Sequence, residues 1–345
     1  MNRICTSLYQ YGFEVTLVGR KTFDSMPLLK NIYKQKRLFC FFKNGPLFYF
    51  EYNVRLFFYL LFQKKDAVCC IDLDTILPVL LVSKINNIPR IYDAHELFTE
   101  LKEVITRPKI KKIWMMIEKF TVPKFPLGYT VSESIAEEFF KRYSVKYSVI
   151  RNMPQLKEQI SRTQKGNQFL FYQGAVNEGR GFEFLIPAMK HISCKLVIAG
   201  DGNFMEQMKE LIKKNNVDEK VKLLGMVLPT ELNSLTEQAF IGISLVENIG
   251  LNQYWSLTNK YFDYIHAGIP QVTMNYPEYQ KLNSQFKTAL LIDNLLPTTI
   301  AEAINKLLTD EELYVELQNN CFLASKKLNW QNEEKQLVNI YTEFF

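Results

Sequence analysis

The chain has 345 residues, 47% of them hydrophobic and 23% charged. That excludes a disordered or collagen-like protein and exceeds what one hydrophobic core normally serves, so two domains are expected. The net charge of +6 divides unevenly: Met1 to Gln164 carries 26 Lys and Arg against 15 Asp and Glu, a balance of +11, and the remainder 16 against 21, a balance of −5.

With no zinc-type spacing, no RNA-binding motif and no long Lys/Arg run, the basic half argues for anionic lipid head groups or a phosphorylated acceptor rather than nucleic acid. The cysteines (Cys5, Cys40, Cys69, Cys70, Cys194 and Cys321) lie scattered, several in apolar runs, without disulfide or metal-ligand spacing. They read as reduced core residues of a cytoplasmic protein. No signal peptide is read at the start, and no apolar run reaches the roughly 18 residues of a membrane span. The nearest approach, Leu47 to Phe62, is broken by Glu51, Asn53 and Arg55 and ends in Gln63-Lys64-Lys65. A buried helix and a membrane-surface helix both fit that pattern.

In chain order, Asn2 to Gln10 reads as a helix stopped by Gly12, and Glu14 to Gly19 as a strand. Strands follow at Arg37 to Phe42, Ala67 to Asp72 and Ile88 to Tyr92, separated by helical patterns at Leu47 to Phe62 and Thr75 to Ile85. The polar cluster Asp93-Ala94-His95-Glu96 ends the last of these strands. Then come a helix at Lys109 to Phe120, a strand at Gly128 to Val131, a helix at Glu133 to Tyr143 capped by Ser132, and a strand at Tyr147 to Ile150. Short strands alternating with helices imply parallel βαβ units. The Pro-, Gln-, Lys- and Ser-rich stretch after Asn152 reads as a linker. A second alternation starts at Phe169 to Gln173 and runs through Pro270 to Met274, with terminal helices at Thr299 to Leu308, Glu311 to Leu328 and Trp330 to Phe345.

Three stretches carry chemistry. Gln173-Gly174-Ala-Val-Asn-Glu-Gly179-Arg180-Gly181 sits between a strand and a helix, where glycines admit a diphosphate to the backbone and Arg180 supplies charge. It is not the dinucleotide Gly-x-Gly-x-x-Gly fingerprint, and a turn with a solvated arginine also fits. In Ala199-Gly200-Asp201-Gly202, Asp201 and Gly202 read as turn residues. Ser256 to Val272, SLTNKYFDYIHAGIPQV, reads as a polar loop opening a short helix. Ser256, Thr258 and Asn259 are N-cap types, Lys260 and Asp263 share a face, and Gly-Ile-Pro stops the helix. A cation in the first turn at an open cleft makes an anion site, although a solvated surface helix has the same pattern.

Taken in order, YQGAVNEGRG, KLVIAGDG, VKLLGMV, GISLVENIGLN and LTNKYFDYIHAGIPQV resemble the donor half of GT-B glycosyltransferases, in particular glycosyltransferase family 4 (group 1). IPRIYDAHELFTEL and YTVSESIAEEF resemble the acceptor domain of the same family. The resemblance implies two Rossmann-like doubly wound α/β domains facing across a cleft. The N-terminal, acceptor-side domain would span 1–152, with the C-terminal helix of about 330–345 packing back on it. A linker at 153–167 and a nucleotide-sugar-binding domain at 168–329 would follow.

It further implies a retaining hexosyl transfer from a UDP- or GDP-sugar, without metal or other cofactor, to a lipid-linked or glycan acceptor in cell-surface polysaccharide or glycolipid assembly. Partners would be the nucleotide-sugar donor, that acceptor and an anionic membrane met peripherally by the basic N-terminal half at the inner face of the plasma membrane; no nucleic acid is expected. Arg180, Lys260 and the backbone N–H groups of Thr258 and Asn259 would hold the departing diphosphate, with Gly174 and Gly181 admitting it. Asp263 stands where the family has a ribose-binding glutamate, one methylene longer. The family's paired acid falls on Trp255, so Glu247, Asn248 and Asn252 are the alternative contacts for sugar hydroxyls. His95 resembles the family's cleft histidine, with Asp93 and Glu96 either orienting it or capping the loop. His191 and His266 read as structural.

Family members open with a strand and a Gly-containing loop, whereas this sequence begins in its first helix. The first strand of the N-terminal domain is therefore expected to be missing, leaving unpaired sheet edges and a poorly folded or inactive chain. A non-catalytic nucleotide-sugar-binding or scaffold protein, and a UDP-sugar 2-epimerase of the same fold, stay open as alternatives.

Overall fold

The computed structural model describes residues 1–157 and 168–343; the linker expected at 153–167 falls mostly outside them. The chain forms two compact units, one of Met1–Arg151 with the chain from Glu333, the other of Asn152–Asn332.

In the first unit α1 (Asn2–Gln10) leads to β1 (Thr16–Lys21), β2 (Lys34–Phe39) and α2 (Gly45–Phe62). These are followed by β3 (Val68–Ile71), α3 (Ile76–Asn86), β4 (Arg90–Ala94), α4 (Lys102–Ile105), α5 (Pro108–Thr121), β5 (Leu127–Thr130), α6 (Glu133–Tyr143) and β6 (Ser148–Val149). All pairings are parallel, as short strands joined by helices require. The sheet is divided: β1 and β2 form a ribbon of their own, while β3, β4, β5 and β6 form a four-stranded sheet with β3 at its edge. Residues after Glu333 are tied to this unit, with Ser7 Oγ donating to Glu334 Oε2 at 2.7 Å and Arg151 N–H to Glu333 Oε2 at 2.6 Å.

Two local readings change. The strand expected at Arg37 to Phe42 begins and ends three residues earlier, because the amides of Phe41 and Phe42 turn to the Glu51 carboxylate at 2.9 and 3.0 Å instead of a strand partner. In α2 only Tyr52 and Leu56 are buried. Leu47, Phe50, Val54, Phe58 and Phe62, spaced three or four residues apart, form one exposed stripe, so α2 is not a fully buried helix.

The second unit runs β7 (Phe169–Gln173), α7 (Phe182–Ala188), β8 (Lys195–Ala199), α8 (Met205–Asn215), β9 (Val221–Gly225), α9 (Pro229–Gln238) and β10 (Ile241–Ser244). It continues with α10 (Leu251–Tyr254), α11 (Asn259–Ala267), β11 (Gln271–Met274), α12 (Pro277–Phe286), β12 (Ala289–Ile292), α13 (Pro297–Thr309), α14 (Glu311–Ser325) and the start of α15 (Trp330–Thr342). One parallel sheet of order β12-β11-β10-β7-β8-β9 spans the unit. Both faces are buried, as an all-parallel sheet demands: along β7, Leu170 and Tyr172 enter one cluster, Phe171 the other. The α12–β12 pair went unread in the sequence because ALLI is too short an apolar run to declare its type. Strand order reverses between β7 and β10, so the loops leaving those two strands flank the place where doubly wound sheets bind ligands.

Candidate functional site

In the second unit both glycine-bearing loops come to that switch point. Gly174, with φ of +117°, follows β7, and a Cβ there would stand 3.9 Å from Lys260 Nζ. The adjoining turn props it: Gly174 N–H donates to Ala199 O at 2.9 Å, and a Cβ on Gly200 would lie 1.8 Å from Gly174 O. Val176 N–H donates to Asp201 O at 3.0 Å and a Cβ on Gly202 would meet Val176 O, so Asp201 and Gly202 shape the turn. Gly181, with φ of +72°, opens α7 in a left-handed conformation that costs a side-chain-bearing residue about 1–2 kcal/mol. Glu247 N–H donates to Gly179 O at 3.0 Å, binding the loop after β10 to the loop after β7.

Lys260, in the first turn of α11, is only 8% exposed, and its ammonium lies 3.5 Å from the centroid of the Tyr172 ring. The Tyr172 hydroxyl donates to Ala175 O at 2.8 Å, so one side chain supports both the cation and the glycine loop. Burial first, and then the charge of Arg180, hold the lysine well below its ordinary pKa; Asp263 pulls the other way. Arg180 is half-buried and makes no hydrogen bond or ion pair among the described residues. Two cations thus stand close enough to disfavour each other, beside a backbone that glycine leaves open. An anion relieves that arrangement.

Asp263 Oδ2 accepts from Gln173 Nε2 at 2.7 Å, and Gln173 Oε1 accepts from Thr236 Oγ1 at 2.6 Å, which fixes the carboxylate. Thr258 sits otherwise than expected. Its N–H donates to Tyr279 Oη at 3.1 Å and its hydroxyl meets Ser244 Oγ at 2.8 Å, so this amide is engaged inside the protein rather than directed at a ligand. Asn259 and Asn248 are exposed, Glu247 is half-buried and Asn252, on α10, is buried. Trp255, in the place of the paired acid, ends α10. His266 Nε2 lies 2.7 Å from Leu328 O, a structural contact.

In the first unit His95 lies just past β4. Its Nε2 is 3.1 Å from Asp93 Oδ2, and its backbone N–H donates to Asp72 Oδ1 at 2.9 Å. Burial pulls the imidazole down in pKa, but the Asp93 hydrogen bond and the Asp93 and Asp72 charges outweigh it, so the net shift is upward. Burial raises Asp72 to about 7, with His95 opposing, and Asp74 to about 6. Asp93 is the carboxylate that orients the ring. Asp72 was missed by sequence reasoning; β3 and β4 pair Ile71 with Asp93, which brings Asp72 alongside His95. The signal was a carboxylate directly after a strand.

A doubly wound parallel sheet with an open-backbone loop and paired cations at its switch point makes the second unit Rossmann-like, and the chain as a whole has the GT-B fold. Sucrose-phosphate synthase from Thermosynechococcus elongatus matches it with a TM-score of 0.80 at 17% identity, covering 99% of this chain and 92% of that one. Anabaena Alr3699/HepE in complex with UDP-glucose matches with a TM-score of 0.72 at 13% identity, covering 90% and 86%. Residues 153–322 match the model of the glycosyl transferases group 1. The uncharacterized glycosyltransferase MJ1607 of Methanocaldococcus jannaschii is 25% identical over 185 residues, 52% of this chain and 45% of that protein. The chain spans about half the length of the curated relatives it matches.

Proposed function

We propose that the protein is a retaining, metal-independent glycosyltransferase that moves a sugar from a nucleotide-sugar to a lipid-linked or polysaccharide acceptor at an anionic membrane, in cell-surface glycan assembly. The observation that carries this reading is the buried Lys260, low in pKa beside Arg180 and open to Gly174. A diphosphate satisfies both cations at once. UDP is the favoured nucleotide, in keeping with the UDP-glucose bound by the HepE neighbour; GDP is the other candidate.

In the proposed reaction the bond between the anomeric carbon and the diphosphate oxygen breaks, with its electron pair leaving on the diphosphate. Arg180 and Lys260 neutralise that charge as it develops, the role that fixed cations fill in transition-state stabilisation. The acceptor hydroxyl bonds to the anomeric carbon on the face the leaving group vacates, and its proton passes to the departing phosphate oxygen. Asp263, held by Gln173, accepts from a ribose hydroxyl. His95, held by Asp93, donates to a substrate hydroxyl.

The test is transfer from a panel of UDP- and GDP-sugars, with EDTA present to check metal independence. Activity that survives Lys260→Ala combined with Arg180→Ala sinks the diphosphate assignment. Nucleotide binding without turnover supports instead a non-catalytic binding protein, the reading that Trp255 and the divided sheet of the first unit favour.

A further inference from the structure

We infer that the outer edge of β2, with the groove between it and α2, is a docking site for an extended acidic peptide of a partner protein. Among the described residues β1 is the only strand that pairs with β2. The Lys34 and Cys40 amides donate to Val15 O and Lys21 O at 3.0 and 2.8 Å, so even-numbered residues of β2 turn their backbone to β1. By the alternation of a parallel ladder, the N–H and C=O groups of Gln35, Arg37 and Phe39 face the other way. They form a row with a repeat of about 6.6 Å, two residues of strand, along an edge that no described strand covers.

Beside this row lies a groove of about 490 Å³, lined by residues 36–39 of β2 and by Val54, Arg55 and Phe58 of α2. Leu38 packs against buried Tyr52 and Leu56, which fixes the helix on the strand. Val54 and Phe58, one helical turn apart, are left 37% and 54% exposed. The lining holds three cations and no carboxylate. Arg55 is paired with Glu51, but Lys36 is exposed and makes no ion pair among the described residues, and the Arg37 guanidinium donates to the Met26 carbonyl.

These features select among occupants. A small anion would meet the cations and leave the outward amides unused. A second copy, paired edge to edge about a two-fold axis, would set the Lys36 and Arg37 charges of the two strands against each other. Nucleic acid would satisfy the cations but leave Val54 and Phe58 in water. An extended peptide brings carbonyl and amide groups at the matching repeat. Its apolar side chains cover Val54 and Phe58, and its carboxylates meet Lys36 and Arg37. Lysines on an edge strand commonly keep other strands away; here they exclude basic and like chains and admit an acidic one. The inference stands apart from the proposed transfer reaction and uses none of its residues.

The experiment exposes the full chain, fluorescently labelled, to arrays of short peptides in which Glu or Asp alternates with Val, Ile or Phe. Matched arrays carry Lys in place of the acids, or Pro in place of the apolar residues. The first array should bind and the other two should not. For its tightest peptide, measured by anisotropy, Lys36→Glu/Arg37→Glu should weaken binding roughly tenfold, the scale of two reversed surface charge pairs. Gln35→Pro should weaken it about fivefold, the scale of one lost hydrogen bond with no change of charge. Proline is tolerated at that position because its nitrogen faces away from β1. Thermal melting checks that both variants fold, and the proline array tests the same main-chain pairing with the parent chain. Equal binding to acidic and basic arrays, binding to the proline array, no binding, full affinity in folded Gln35→Pro, or a dimer of the chain that Gln35→Pro dissolves each overturns the inference. Peptide binding by a chain that fails to bind UDP leaves it standing and removes the donor-site reading.

Discussion

The two units solve the same architectural problem differently. The second lays six parallel strands in one sheet and brings its glycine loop and its cations to a single switch point. The first splits six strands into a ribbon of two and a sheet of four. Its chemistry is of the opposite sign: two carboxylates, half-buried Asp72 and buried Asp93, gather around one imidazole. In the second unit a continuous core holds a desolvated cation in place against its own destabilising effect. In the first, the polar groups hold one another.

Replacing Lys260 by Met breaks this comparison most sharply. Removing a buried, poorly compensated charge should raise the unfolding temperature of the second unit, while transfer falls about a thousandfold. Calorimetric melting and a transfer assay on one preparation check both halves. In the first unit His95→Asn should lower transfer about a hundredfold, the scale of one positioned proton-handling group. Asp93→Asn should lower it less and shift the pH profile toward lower pH, because the ring loses the carboxylate that keeps it protonated.

The pH dependence of stability should separate the units further. Asp72 has a folded-state pKa near 7 against an ordinary 3.8, so it holds its proton more tightly when folded and stability falls as pH rises between those values. His95, also raised, contributes stability at low pH that is lost as pH climbs through its folded value. Both signs agree. From about pH 5 to about pH 7 the first unit should lose about 2 kcal/mol, and Asp72→Asn should remove most of that slope in urea titrations.

Two helix-stop glycines give the smallest contrast. Gly268 has φ of +70° and a Cβ there would lie 2.4 Å from the Phe322 ring, whereas Gly12, φ of +96°, has nothing within 4 Å. Gly12→Ala should cost about 1 kcal/mol of backbone strain and Gly268→Ala clearly more, with chemical denaturation as the readout.

The alternation of strands and helices was legible because apolar periodicity and turn residues are local. So were Arg180, Lys260 and Asp263, which sit on loops and helix starts whose composition declares them. Contacts between distant segments were not. The Thr258 amide is consumed by Tyr279, 21 residues on, and the Tyr172 ring beneath Lys260 reads in the sequence only as a core aromatic. Asp72 meets His95 through strand register, which no pattern within β3 or β4 announces. The exposed stripe of α2 stayed undecided in the sequence because apolar residues all round a helix look alike whichever way they face.

The position of Lys260 over Tyr172 also links the proposed donor binding to proton uptake. An ammonium held low by desolvation and by Arg180 becomes more basic when a diphosphate arrives beside it. Binding of the proposed diphosphate donor should therefore draw protons from the medium. Titration calorimetry in buffers of different ionisation enthalpy would count them, and the count should vanish in Lys260→Met.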